Sequence, residues 1–242
     1  MRPPTITIST PPAAHLYFQP DQIYEVINAF RDEMASRGLK KPIWLVETNA
    51  PPADDTYWPV PNWTLYVTVY EQAAFIPQAI ASALAAGAER IAVFKLMDVD
   101  GDREANPEPF GLLRQDNSRR PAYDTYRVAI RQLGNAREAV RERWDAVGQI
   151  RVDQGDQTTT VLFSRLPYTQ KVTIAADAPT AELVDMWGES RTITARNGVF
   201  TLDLPSALCT QTIGDYCMIG GTVMYLVQEK DVYLPGALQP EE

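Results

Sequence analysis

Hydrophobic positions keep a mixed strand and helix rhythm over the first 134 residues and a period of two after about residue 148. Ala13 to Phe18 is a short apolar and aromatic run, and Gln19-Pro20-Asp21 offers a helix start with proline in its first turn. Ile23, Val26, Ile27, Phe30 and Met34 then recur at helical spacing, and Gly38 supplies the stop. Pro42 to Glu47 is β-rich and apolar on both faces, as in a parallel strand covered by helices. A long loop, 49–70, leads to Glu71–Ala86, where Phe75, Ile76, Ile80 and Leu84 share one helical face; Pro77 is expected to kink or disrupt that helix and Gly87 to end it. Arg90–Met97 reads as a third strand. After a loop over 98–117, Pro121 opens a helix carrying Tyr123, Tyr126, Ile130 and Leu133, and a charged connecting helix is expected over roughly 135–147.

Strand and helix thus alternate three times, with the long loops after the strands. That pattern predicts a parallel α/β unit whose enlarged loops sit where barrel enzymes build their sites. Beyond 148 the expected strands are 149–152, 158–165, 170–175, 181–185, 191–195, 199–204 and 222–228, with a hairpin signal at Asn197-Gly198 and a turn at Trp187-Gly188. These predict a small antiparallel β-sandwich. The expected organisation is an irregular segment 1–12, an α/β unit 13–147 and a β-sandwich 148–242.

Composition narrows the function. A net charge of −9 opposes nucleic acid and anionic membrane as partners, and favours a neutral or polar ligand. The most apolar stretch, 73–94, is broken by Pro77, Gly87, Glu89 and Arg90 and cannot supply the ~20 apolar residues of a membrane span. Prolines also break the first twelve residues, which lack the continuous apolar segment of a secretory signal. Cys209 and Cys217 leave room for one local disulfide and exclude a thiolate metal site. With His15 the sole histidine, no metal or cofactor is expected and any chemistry rests on carboxylates.

Glu47 is the sharpest candidate, an acid at the end of a buried strand before a loop rich in aromatics and acids. Alternation puts Ile43 and Leu45 on its face, so it is expected to emerge above two apolar layers at a barrel mouth; a solvated strand-end glutamate is the plainer alternative. Asp54, Asp55 and Asp98 are the available second acids, each also readable as a solvated loop aspartate. His15 and Tyr17 share a strand face, suited either to a sugar or to the helices behind. Lys95, mid-strand, calls for a partner such as Glu47 or Asp98. Tyr57, Trp58 and Trp63 suit either a sugar platform or pins for a proline-rich loop.

The segment Lys41-Pro-Ile-Trp-Leu-Val-Glu47-Thr-Asn49 resembles the penultimate strand of clan-A (β/α)8-barrel glycoside hydrolases, with Glu47 at the position of their nucleophilic glutamate. His15-Leu-Tyr17-Phe resembles the sixth strand, and Ala88–Met97 with Arg120-Pro-Ala-Tyr123 the eighth strand and closing helix. The second half resembles the trailing β-sandwich, with Leu183–Gly188 and Met218–Gly221 as its turns. The resemblance implies a partial (β/α)8 barrel, a retaining mechanism with Glu47 as catalytic residue, and His15, Tyr17, Asn49, Trp58, Lys95 and Asp98 as contacts to an oligosaccharide or polysaccharide. The sequence departs from the family in having no Asn-Glu pair for the acid/base, and Phe94-Lys95 where many relatives carry tryptophan.

Three parallel strands do not close a barrel, so a truncated reading frame, inactivity of this chain alone and self-association through an exposed barrel interior are expected. A secreted parent that lost its signal fits this expectation. The contrasting function is a non-catalytic carbohydrate-binding or interaction module in which the sandwich and aromatic loop bind.

Overall fold

The computed structural model describes residues 11–105 and 107–230, so nearly all of the irregular segment expected over 1–12 lies outside the described residues. Three strand and helix pairs come first: β1 (Ala13–Tyr17) with α1 (Pro20–Ser36), β2 (Ile43–Asn49) with α2 (Val69–Ala85), and β3 (Ala88–Ile91) followed by the short α3 (Asp102–Ala105) and α4 (Pro121–Leu133). The strands form one parallel sheet in the order β1-β2-β3. β3 is shorter than the expected third strand. Ala92 and Phe94 still donate backbone N–H groups to Leu45 (2.8 Å) and Thr48 (3.1 Å), but Phe110–Leu113 then return and bond to Lys95, Leu96 and Asp98.

α2 is buried all round. Of its 17 residues only Val69, Tyr70 and Leu84 escape full burial, so the single apolar face expected from Phe75, Ile76, Ile80 and Leu84 understates it. Alanine makes this possible, because a helix surface of methyl groups admits neighbours on every side. Pro77 neither ends nor divides the helix. It has no N–H to offer the Ala73 carbonyl four residues back, and the Thr125 hydroxyl on α4 donates to that carbonyl instead, at 2.8 Å. The N-terminus is closed by a capping box: Thr68 Oγ1 accepts from Glu71 N (3.1 Å) and Glu71 Oε2 accepts from Thr68 N (3.0 Å).

The charged connecting helix does not form. Its residues are β4 (Glu138–Trp144) and the start of β5 (Val147–Asp153), an antiparallel pair. Helix-favouring charges are overridden by cross-strand partners, with Arg151 and Gln149 donating to Glu142 at 2.6 and 2.7 Å. On the other face Arg141 lies over the Tyr24 ring and binds Asp21 (2.8 Å) and Glu25 (2.7 Å) of α1. Arginine stems take inward positions that an apolar pattern does not reveal.

The remaining strands are β6 (Gln157–Ser164), β7 (Gln170–Ala175), β8 (Thr180–Asp185), β9 (Ser190–Thr194), β10 (Val199–Leu204), β11 (Thr212–Ile213), β12 (Tyr216–Cys217) and β13 (Met224–Glu229). Six form one sheet, β4-β5-β6-β13-β8-β9, while β10 pairs with β7 and β11 with β12. The Asn197-Gly198 turn forms with both φ angles positive, yet its flanks pair only at Arg196 and Val199, because β9 and β10 belong to different sheets. The turn carries the chain between layers.

Both faces of the six-stranded sheet are covered. Val161, Phe163, Val184, Tyr225 and Val227 join one core with Phe75, Ile76 and Ala129 of the helices; Leu162, Leu183 and Leu226 point the other way, onto Ile174, Phe200 and Leu202 of the β7–β10 pair. Alternation along each strand feeds two cores. In the first, the Phe163 ring meets Trp144 edge-on at 5.6 Å and is hemmed by Gly148 and Gly220, at either of which a Cβ would overlap it. Gly148→Ala is therefore expected to lower stability by about 1–3 kcal/mol through overpacking, read as a fall in the urea midpoint with unchanged slope.

Candidate active site

The pairing of β1 with β2 decides where Glu47 points. Ala14 pairs with Leu45 but His15 pairs with Glu47, so one residue of β2, Val46, is passed over. A bulge of this kind switches the face taken by the residues beyond it. Ile43 and Leu45 accordingly lie in the core behind the sheet with Ile23 and Ile27. Glu47 does not share their face, so the two apolar layers expected beneath it lie behind the sheet instead.

On the open face three of the expected residues converge. Tyr17 Oη donates to Glu47 Oε2 at 2.6 Å, and His15 Nδ1 lies 2.9 Å from the same oxygen. Glu47 Oε1 has no hydrogen-bond partner among the described residues, and the side chain keeps 30% of its exposure. Burial first, and the Glu47 carboxylate second, push the Tyr17 phenol well above the usual tyrosine range, which keeps it a donor. Phe110 meets the Tyr17 ring edge-on at 5.5 Å and Phe94 at 5.4 Å, giving the site an apolar wall. Phe110 carries no signal in the sequence; only the return of its loop to the third strand brings it here.

The other expected contacts are engaged inside the protein. Asn49 is buried with every amide valence used: Nδ2 donates to the Phe94 and Phe110 carbonyls, each at 2.7 Å, and Oδ1 accepts from Ala50 N (2.8 Å) and Gln72 Nε2 (3.2 Å). It positions the aromatic wall and has no group left for a ligand. Lys95 pairs with Asp102 rather than Glu47 or Asp98. Trp58 is 3% exposed, donates to Pro107 O at 2.9 Å and lies under Arg103, the behaviour of a pin. Tyr57 is open but stacked by Arg114, and Trp63 remains half exposed beside Tyr66.

Two of the three aspartates are not solvated, while Asp54 is exposed as expected. Asp55 and Asp98 are buried around Arg120, which is fully buried and donates Nε to Asp55 (2.6 Å), Nη1 to Asp98 (2.6 Å) and Nη1 to Gly111 O (2.5 Å). Arg114 adds a second guanidinium on Asp55 at 2.9 Å. Burial alone would raise the Asp55 carboxyl, but Arg114 and Arg120 beside it hold it below the usual range. Asp54, exposed, accepts from Val69 N at 2.7 Å, and partial desolvation raises its carboxyl. The cluster fastens the loops after β2 and β3 to the start of α4. Its one sequence signal was Arg120 itself, preceding the helix-initiating Pro121. Among the described residues no three acids, histidines or cysteines converge on a metal position.

Neither a family model nor a curated relative matches this sequence. Solved structures do resemble its fold. A family 39 glycoside hydrolase from the gut symbiont Bacteroides cellulosilyticus WH2 superposes with a TM-score of 0.60 at 17% identity, over 90% of this chain and 44% of its own. A glucosidase from Croceicoccus marinus gives 0.56 at 12% identity, over 90% and 53%, and the arabinose-bound MgGH51 α-L-arabinofuranosidase gives 0.56 at 11%, over 93% and 38%. The chain thus spans between 38% and 53% of these proteins' lengths. At such identities the likeness is one of fold.

Removing Arg120 leaves buried Asp98 without a cation and Asp55 with Arg114 alone, and Arg120→Met is expected to cost about 3–5 kcal/mol. Because the Asp55 carboxyl is depressed in the folded state, its contribution is present above the unfolded value of about 4 and lost as pH falls through the folded value. Arg114→Met should make the loss of stability below about pH 4 shallower. Urea melts between pH 3 and 7 measure both.

Proposed function

We propose that this chain is the nucleophile-bearing part of a retaining glycoside hydrolase: β1, β2 and β3 as the last three strands of a (β/α)8 barrel, and β4 to β13 as its β-sandwich. A carbohydrate is the substrate. The observation that carries the proposal is the Glu47 carboxylate, gripped at Oε2 by Tyr17 and His15 and bare at Oε1. A donor pair on one oxygen fixes the orientation of the carboxylate and leaves the other oxygen open.

In this scheme Oε1 attacks the anomeric carbon, the glycosidic oxygen leaves with a proton from a second carboxyl group, and water later hydrolyses the glycosyl ester as that second group takes a proton back. The second group is not among Asp54, Asp55 and Asp98, each held elsewhere. It belongs to barrel strands additional to these 242 residues. The aromatic wall of Tyr17, Phe94 and Phe110 suits the apolar face of a sugar ring.

Residues 1–242 alone should not turn over a panel of aryl glycosides. A fusion to five upstream βα units, taken from a barrel such as the family 39 enzyme, should restore hydrolysis with retention, and Glu47→Gln in that fusion should lower kcat by roughly a thousandfold or more. Undiminished turnover by the Glu47→Gln fusion overturns the assignment of Glu47.

A further inference from the structure

Glu71 is a buried acid, 3% exposed, with no part in the proposed hydrolysis. No cation neutralises it among the described residues. Besides Thr68, its donors come from across the fold: Thr210 N at 3.1 Å from Oε1, and Thr210 Oγ1 at 2.7 Å from both carboxylate oxygens and 3.0 Å from Tyr66 O. The hydroxyl proton is shared among these acceptors. Thr210 thereby fastens the first turn of α2 to the β-rich half.

Thr210 lies next to Cys209, and Cys209 is disulfide-bonded to Cys217. The bond closes a short loop over the β11–β12 hairpin, whose base is fixed by Cys217 N on Arg165 O and Met218 N on Gln211 O, both at 2.9 Å. Cys209 has φ +60, the left-handed conformation that costs a non-glycine residue free energy and persists only when its surroundings impose it. Cys217 is 3% exposed and Cys209 is half-buried, so the Cys209 sulfur is the one a thiolate reaches.

We propose that the Cys209–Cys217 disulfide is a redox-sensitive latch that holds Thr210 on Glu71 and so fixes the segment leading from Glu47 into α2. A dithiol reductant attacks the Cys209 sulfur, the S–S bond breaks, and two electrons and two protons pass from the dithiol to leave two cysteine thiols and an oxidised, cyclic reductant. Cys209 is then free to leave its left-handed conformation, Thr210 swings off Glu71, and the buried carboxylate keeps only its Thr68 donors. The segment this releases is closed by Ala53 N on Val67 O (2.7 Å) and Val69 N on Asp54 (2.7 Å).

Hydrogen exchange on the full chain tests this, comparing the oxidised protein, the dithiothreitol-reduced protein, Cys209→Ser with Cys217→Ser, and Thr210→Val with the disulfide intact. The amides of Ala53, Val69, Glu71 and Gln72 should exchange about tenfold faster or more in the last three, the factor for losing a hydrogen bond to a charged group. Those of β6 and β13 should stay within about twofold of the oxidised protein. Unchanged rates at the four amides on reduction overturn the latch. So does acceleration spread equally over β6 and β13, which makes the disulfide a staple of the whole fold. An effect of reduction that Thr210→Val does not reproduce removes Thr210 from it.

Discussion

The near-complete burial of α2 is the constraint on which the rest of the structure depends. A helix enclosed on every side must have its surroundings built to it, and here β2 and β3 lie on one flank, α1 and α4 on others, and β4 and β5 beyond. Hydrophobic contact supplies the driving force, while a few buried polar groups fix the orientation. Gln72 reaches Asn49 beside the candidate site, and Gln78 accepts from Gly220 N (3.0 Å) and donates to Gly221 O (3.1 Å) in the turn before β13. One helix thus ties the end of the parallel sheet to the antiparallel one.

That arrangement gives the Glu47 site its character. Nothing in the site is held by a single element: Glu47 is on β2, its two donors on β1, and the aromatic wall on segments that Asn49 clamps by two carbonyls. The Asp55–Arg120–Asp98 cluster stands behind the same loops as a rigid backing. Buried ion pairs of this kind add little net stability over an apolar core, but they tolerate few alternative arrangements.

Much of this was legible in the sequence. The order of strands and helices, the starts at Pro20 and Pro121, the switch to period two and the shared face of His15 and Tyr17 come from local pattern and alternation, which depend on near neighbours. What was missed depends on distant ones. The bulge at Val46 is a property of two strands together, so alternation within β2 alone assigned Ile43 and Leu45 to the wrong face. β4 looked helical because one of its inward positions carries Arg141, whose partners lie on α1. Asp55 and Asp98 looked solvated because the arginine that buries them comes at position 120, past two loops. Asn49 looked available because its acceptors are carbonyls near residues 94 and 110.

Pro77 and Thr125 illustrate how such distant dependence constrains change. The proline removes a donor from the middle of α2, and a hydroxyl one helix away replaces it. The two positions are therefore epistatic. Replacing Thr125 by valine is harmful while proline occupies 77, because the buried Ala73 carbonyl then loses its donor, and close to neutral once an alanine restores the N–H. A lineage can lose the hydroxyl only after losing the proline, so the order of substitution, and not just the set of residues tolerated at each site, is written into this one contact between helices.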